Sequence, residues 1–373
     1  MSLIIYFDNA ATSRIKPDAV VEAYTDYLSN IGVSPGRGSY SLAIQASRML
    51  YQSRKAIANY FGLNNTNVVF TKNSTEAMNL FFLGFLQNGD HVLISPFEHN
   101  SVLRPINTLK RKGIIDYTIL PETAIKNPDE LREYITPAVK LIAITLASNL
   151  TGEIIYNKRI GELCHKDSIS VFVDASQGGG KGIVNMLDDN IDYLAFTGHK
   201  DLLGLPGVGG LCSVEKIAFS PLIQGGTGVH GESYSNPEIY PDAYESGTLN
   251  MPAIWALKTA VDYISRNMHD IVSKERELTD YLVKGLLSND KVILYKPDAY
   301  RVPTLCFNIK EHDSSEIVSI LDKNNICVRG GIHCAILAHE NLGTVKTGAV
   351  RVSLNYTNTY EEINYFLSVI RGI

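Results

Sequence analysis

Short apolar runs alternate with longer helix-like stretches through the first two thirds of the chain, and this alternation constrains the fold more than any other feature. The runs at 68–71, 92–95, 141–146, 171–174 and 193–197 have strand length, and the intervals between them are long enough for crossover helices. A chain built this way forms a mostly parallel α/β sheet. After Pro252 the pattern becomes a long helix-like stretch at 253–286. Strand-like runs at 304–309 and 350–354 follow, with helix-like stretches at 314–323 and 360–370. We expect a large α/β domain over 13–252 and a smaller α+β C-terminal domain over 253–373, with residues 1–12 packing near the smaller one.

A length of 373 residues suffices for a sizeable core, and 45% hydrophobic with 20% charged residues is the composition of an ordinary folded protein. The formal charge of -5 is spread without a block of one sign. That argues against nucleic-acid and membrane-surface partners and leaves small molecules and proteins. No stretch reaches the roughly 18 uninterrupted apolar residues of a membrane helix, and the N-terminal residues up to Phe7 lack the basic and apolar regions of a secretory leader. The expectation is a soluble, cytoplasmic protein. Cys164, Cys212, Cys306, Cys327 and Cys334 include no C-x-x-C pair, which fits neither a disulfide framework nor a zinc ribbon, so reduced thiols are expected.

In open parallel sheets, ligands bind beyond the carboxyl ends of the strands, so the side chains just after each run matter most. Asn73, Ser74, Thr75 and Glu76 follow the first run, Glu98 and His99 the second, and Ser148 and Asn149 the third. Asp174 and Gln177 follow the fourth, and His199 and Lys200 the fifth. Singly, each has an ordinary explanation: a hydroxyl such as Ser74 or Thr75 commonly caps a helix, and a lone lysine usually sits in solvent. Together they supply an amine, an acid, a flat ring and several phosphate donors at one rim. A pyridine cofactor with a carbonyl and a phosphate needs those groups. Other motifs are weaker. Gly226-Thr227-Gly228-Val229-His230-Gly231 has dinucleotide-turn spacing, but Asn236-Pro237 interrupts where a helix should open. His333, Cys334 and His339 lack a fourth ligand at metal-site spacing, so no metal is expected.

Asp8-Asn9-Ala10-Ala11-Thr12, Phe70-Thr71-Lys72-Asn73-Ser74-Thr75-Glu76-Ala77, Glu98-His99-Asn100, Ser148-Asn149-Leu150-Thr151-Gly152, Asp174-Ala175-Ser176-Gln177 and Gly198-His199-Lys200 resemble, in order, the blocks of class V enzymes of the PLP-dependent transferase fold type I. Arg329-Gly330-Gly331-Ile332-His333-Cys334-Ala335 resembles the loop of cysteine desulfurases of the SufS type. The block Ser34-Pro35-Gly36-Arg37-Gly38-Ser39-Tyr40 departs from its family counterpart in ending on tyrosine where histidine is frequent.

The resemblance implies that pyridoxal 5'-phosphate (PLP) is carried by Lys200 as a Schiff base, with Asp174 at the pyridine nitrogen, Gln177 at the 3′-oxygen and His99 on the ring. It further implies Ser74, Thr75, Thr197 and His199 around the phosphate, with Thr248 reaching it from a second copy in a homodimer. Asn149 and Arg351 would hold the carboxylate of L-cysteine. Cys334 would take the substrate sulfur as a persulfide, leaving alanine, and pass it to a small acceptor protein, for iron–sulfur cluster assembly or another sulfur pathway. A thiolate must do this, and Arg329 or a protonated His333 is expected to favour it. Gly330 and Gly331 are expected to place Cys334 on a flexible, poorly buried loop, while the other four cysteines are structural. Two alternatives remain: a class V aminotransferase, C–S lyase or selenocysteine lyase in which Cys334 is incidental, and a non-catalytic paralogue serving as a sulfur-carrier or regulatory binding protein.

Overall fold

A computed structural model of the chain describes residues 4–36, 38–229 and 231–373; Met1 to Leu3, Arg37 and His230 lie outside the described residues. The strands in chain order are β1 (Ile5–Tyr6), β2 (Val68–Thr71), β3 (His91–Ile94), β4 (Asp116–Ile119), β5 (Val139–Thr145), β6 (Ser170–Asp174), β7 (Tyr193–Thr197), β8 (Gly209–Ser213), β9 (Val292–Leu294), β10 (Thr304–Ile309), β11 (Ile326–Cys327), β12 (Arg329–Gly331) and β13 (Ala349–Ser353). Seven of them form the main sheet in the order β2-β8-β7-β6-β5-β3-β4. β8 is antiparallel to β2 and β7, and the remaining pairings are parallel. The carboxyl ends of β2, β3, β5, β6 and β7 therefore share one edge.

The interior strands read as unbroken apolar runs because both sheet faces are covered. On one face, helices Ser74–Phe85 and Asn100–Arg111 pack around an aromatic cluster in which Phe81 stacks on Phe172 with centroids 4.7 Å apart. On the other, Ile254, Leu257 and Val261 of the long helix Met251–Leu287 share a buried cluster with Val171, Val173 and Leu194. The long helix and the five predicted strands of the main sheet stand where the sequence pattern puts them, within two residues at each end. β4 and β8 escape that pattern. β4 is an edge strand with exposed ends, and β8 opens on Gly209, where a Cβ would lie 2.7 Å from the Asn73 main chain.

Strands β12-β13-β10-β9 form an antiparallel sheet over a core that holds Phe7, Phe307 and Phe366. β1 pairs with β11, and Asp8 bridges to Ser353. The expectation of a flexible loop at Gly330 and Gly331 is corrected here, because both belong to β12 and pair with β13. A Cβ on Gly330 would meet the Val318 side chain at 2.8 Å, so this glycine serves close packing. No helix among the described residues is long and apolar enough to cross a membrane.

One buried ion pair fixes the loop that carries Thr248. Glu245 accepts from Arg54 Nη1 at 2.7 Å, from Arg54 Nη2 at 2.8 Å and from the Phe70 amide at 2.7 Å. The guanidinium also lies over the Phe70 ring, 5.0 Å from its centroid. Arg54→Met strands the Glu245 carboxylate, and stability should fall by about 3 to 5 kcal/mol, read by chemical denaturation. Adding Glu245→Leu should recover part of the loss; an Arg54→Met protein as stable as wild type would show that the pair does not hold the loop.

Candidate active site

The shared strand edge opens into a cleft of about 240 Å³. Its floor is set by Asp174, the last residue of β6, and Lys200, three residues beyond β7. Asp174 is 2% exposed, and its Oδ1 accepts from the Ser176 amide at 2.9 Å. Burial pushes the Asp174 carboxyl above its ordinary range. Burial also pushes the Lys200 amine below its ordinary range, opposed by Asp174 and reinforced by Arg351. Each group is thus driven toward its neutral form by desolvation, and each supports the charge of the other.

At one end of the cleft the helix Ser74–Phe85 begins. Asn73 caps it, accepting from the Glu76 amide at 2.9 Å, so Ser74 and Thr75 are not the caps and their hydroxyls are available. Thr75 Oγ1 lies 2.8 Å from Ser101 Oγ. Thr197 and His199 line the same end. Among the described residues, the buried hydroxyls of Thr197 and Ser176 have no hydrogen-bond partner. Burial, then the Lys200 charge, lowers the His199 pKa to about 4.

His99 lines the same cleft and reaches Thr75 through the Ser101 hydroxyl, 3.0 Å from its Nδ1. It caps the helix Asn100–Arg111, its Nδ1 accepting from the Ser101 amide at 3.1 Å. An accepting Nδ1 leaves the ring proton on Nε2, and burial together with Lys200 lowers the pKa to about 4, so the ring is neutral. Gln177 is tied by its Nε2 to the Ala10 carbonyl at 2.8 Å.

Asn149 joins this cleft to two further groups. Its Nδ2 donates to the His333 carbonyl at 2.8 Å, and its own carbonyl accepts from Arg351 Nη1 at 3.0 Å. Arg351 is buried behind the cleft, with Nη2 2.5 Å from Asp8 Oδ1. Cys334 is partly buried, and its carbonyl accepts from the Asn100 amide at 2.9 Å. His333 and Cys334 both adopt the left-handed conformation, with φ of 54° and 56°, a costly arrangement for two consecutive residues other than glycine. The expected protonated His333 is corrected: burial, with the Arg351 charge behind it, lowers its pKa to about 3. The ring lies flat against His339 with centroids 5.8 Å apart.

Nine predicted residues thus line one cleft: Ser74, Thr75, His99, Asn149, Asp174, Gln177, Thr197, His199 and Lys200. Arg351 and Cys334 connect to it through hydrogen bonds. Thr248 does not line it; it faces an adjoining cleft of about 580 Å³ that shares Asn73 and His199. Of the other cysteines, Cys164, Cys212 and Cys306 are buried and Cys327 is partly buried. Sequence reasoning gave no role to Ser101, Ser176, Asp8 or Glu98, although Asp8, Glu98 and Ser176 stand in the quoted blocks. The first two sit inside recognised blocks or beside them, two residues from His99 and Asp174. Glu98 is fully buried, accepting from the Thr145 amide at 2.7 Å and from the Ser95 hydroxyl.

The fold is that of PLP-dependent enzymes of fold type I. The chain belongs to the class-V aminotransferase family, which matches residues 5–366, and within it to the PLP-dependent cysteine desulfurases. A probable cysteine desulfurase of Methanothermobacter thermautotrophicus is 33% identical over 368 residues, 96% of this chain and 92% of that one. A probable cysteine desulfurase of Pyrococcus abyssi is 31% identical over 99% of this chain and 94% of its own length. The apo structure of a cysteine desulfurase from Thermococcus onnurineus matches with a TM-score of 0.89 at 32% identity, covering 99% of this chain and 94% of that one.

The cleft fits the family's cofactor by its chemistry. A buried carboxyl pushed upward lacks a cationic donor, a partly buried amine pushed downward is available to a carbonyl, and the unpartnered Thr197 hydroxyl lines the same cleft as Ser74 and Thr75 in the first turn of a helix.

Glu98, beneath this cleft, makes stability depend on pH. Burial raises its pKa from an ordinary 4.5 to about 8, with Asp174 adding to the rise. The ionised form is disfavoured in the folded state, so wild-type stability drains away as pH rises from about 4.5 to about 8. Glu98→Gln should gain stability relative to wild type across that window, on the order of a few kcal/mol by its upper end. Parallel stability curves for the two proteins would contradict the assignment.

Proposed function

We propose that this protein is a cysteine desulfurase of the SufS type, acting as a homodimer that converts L-cysteine and the Cys334 thiol into L-alanine and a Cys334 persulfide. The observation that carries the reading is the attachment of Cys334. Its carbonyl is bonded to the amide beside His99, and the preceding carbonyl to Asn149, so the main chain that carries this thiol is anchored to a lining residue of the cleft that holds Lys200 and Asp174 and to the neighbour of another. Residues 13–252 make the cofactor-bearing domain and 253–373 the smaller one, with the N-terminal segment docked on the latter.

When bound, PLP supplies an electron sink for the Cα of an amino-acid substrate. Lys200 is the attachment point, and desolvation favours the neutral amine that can take the Cα proton and return one. Asp174 would hold a proton at the pyridine nitrogen. His99, neutral and flat, would cover the ring, and Gln177 would serve the 3′-oxygen. Ser74, Thr75, Thr197 and His199 would hold the phosphate, joined by Thr248 of a second copy. Asn149 and Arg351 receive the substrate carboxylate, the guanidinium fork matching its two oxygens. Cys334 Sγ then attacks the substrate sulfur: an S–S bond forms, the substrate C–S bond breaks, and carbon takes up a proton to give alanine. The persulfide passes to a small acceptor protein in the cytoplasm, with iron–sulfur cluster assembly as one destination.

The test is incubation with L-cysteine, measuring alanine and protein-bound sulfane sulfur together. Lys200→Ala should lose both products and the yellow chromophore. Cys334→Ser should keep the chromophore and L-cysteine binding while persulfide and alanine formation fall by about a hundredfold or more, since a serine oxygen is a poor nucleophile toward sulfur. Cys327→Ser should change little. Pyruvate and ammonia in place of alanine would move the protein to the C–S lyases, and wild-type alanine production by Cys334→Ser would remove the persulfide step.

A further inference from the structure

Arg351 is already occupied. Its Nη2 donates to Asp8 Oδ1 at 2.5 Å and its Nη1 to the Asn149 carbonyl at 3.0 Å, while its Nε has no partner among the described residues. The Arg351 side chain is 2% exposed and that of Asp8 20%. The backbone around Asp8 is held on both sides. The Phe7 amide donates to the Cys327 carbonyl at 2.9 Å, the Ser353 amide to the Phe7 carbonyl at 2.7 Å, and the Ala10 amide to Ser353 Oγ at 2.8 Å. A carboxylate is therefore fixed against the guanidinium proposed above to receive the substrate carboxylate.

We propose that Asp8 is a specificity-determining residue that acts through Arg351: it occupies the guanidinium when substrate is absent, so an incoming carboxylate must compete with it. The inference rests on the reading of Arg351 as the carboxylate receiver. An unpaired guanidinium in so desolvated a place would attract any small anion strongly. Asp8 offsets the Arg351 charge, although Arg329 faces Arg351 from the paired strand, and a carboxylate alone gains less by arriving than it would at an unpaired guanidinium. An amino acid that also engages the cleft through its amine and thiol has further binding energy to offset the displaced ion pair. Asp8 thus raises the requirement that a ligand carry all three groups, which is specificity by penalty against incomplete ligands.

The probe is propionate, a carboxylate without amine or thiol, titrated calorimetrically into PLP-loaded protein. Propionate should bind Asp8→Asn about tenfold or more tightly than wild type, because an anion no longer competes for the fork. The neutral analogue propionamide should bind both proteins alike, a distinction that general loosening of the structure would not make. The KM for L-cysteine should fall in Asp8→Asn without a rise in kcat, and Asp8→Glu should restore wild-type propionate affinity. Asp8→Ser is the second neutral variant, with folding of each followed by circular dichroism. If the folded neutral variants bind propionate no more tightly than wild type, Asp8 does not compete for Arg351 and the inference is overturned. Asp8→Asn combined with Arg351→Gln separates the two readings: loss of the tight propionate binding upholds both, whereas its retention shows that the carboxylate binds elsewhere and removes Arg351 from its assigned place. Should Arg351→Gln raise the KM for L-cysteine while Asp8→Asn leaves propionate binding unchanged, only the role of Asp8 fails.

Discussion

The cost of placing a buried Asp174 and a partly buried Lys200 in one cleft governs the rest of the site. They follow adjacent parallel strands, β6 and β7, so the sheet places a carboxyl and an amine at the same edge whether or not a ligand is present. Burial disfavours each charge, and each charge partly offsets the cost of the other. Such an arrangement is a weak source of stability, since apolar residues of similar volume would cost less to bury. It makes sense where a ligand brings a protonated ring nitrogen to the acid and a carbonyl to the amine. Burial in the cleft then serves the chemistry, because it shifts the amine toward the neutral form that can accept a proton.

The parts of this arrangement legible in the sequence are those where one residue sits at the end of one apolar run. β2, β5, β6 and β7 are buried on both faces, so their composition is continuous and their carboxyl ends can be read directly. β8 could not be read, since Gly209 and Gly210 answer to close contacts with Asn73 and Phe196 and carry no apolar signal of their own. The cap of the helix Ser74–Phe85 is a similar case: three consecutive polar residues compete for one role, and only the backbone geometry shows that Asn73 takes it. Asp8 and Arg351 are 343 positions apart, and no local pattern encodes a pairing at that distance.

The Cys334 turn shows how composition can mislead about mechanics. Two glycines before a cysteine suggest mobility, yet they form an edge strand against β13, and the strain falls on His333 and Cys334. Asn149 and the Asn100 amide hold that strained turn from outside. Because burial keeps His333 neutral, its ring contributes packing against His339 and a hydrogen-bond contact with the Arg329 carbonyl, not a cation beside the sulfur. The reactivity assigned to Cys334 must then come from where the turn holds it and from the more distant arginines.

The N-terminal segment is the piece that makes the two sheets one site. Between Asp8 and Ser13 it contacts Arg351 through a carboxylate, Gln177 through the Ala10 carbonyl, and the His199 carbonyl through the hydroxyls of Thr12 and Ser13. Arg351 belongs to the antiparallel sheet, while Gln177 and His199 belong to the rim of the main one. A short turn segment that satisfies polar groups on both sides leaves neither free to shift alone, because movement would expose buried donors and acceptors without partners. The spacing between Arg351 and the rim at Gln177 and His199 is therefore set by a few residues of a turn, and these lie in neither helix nor main-sheet strand.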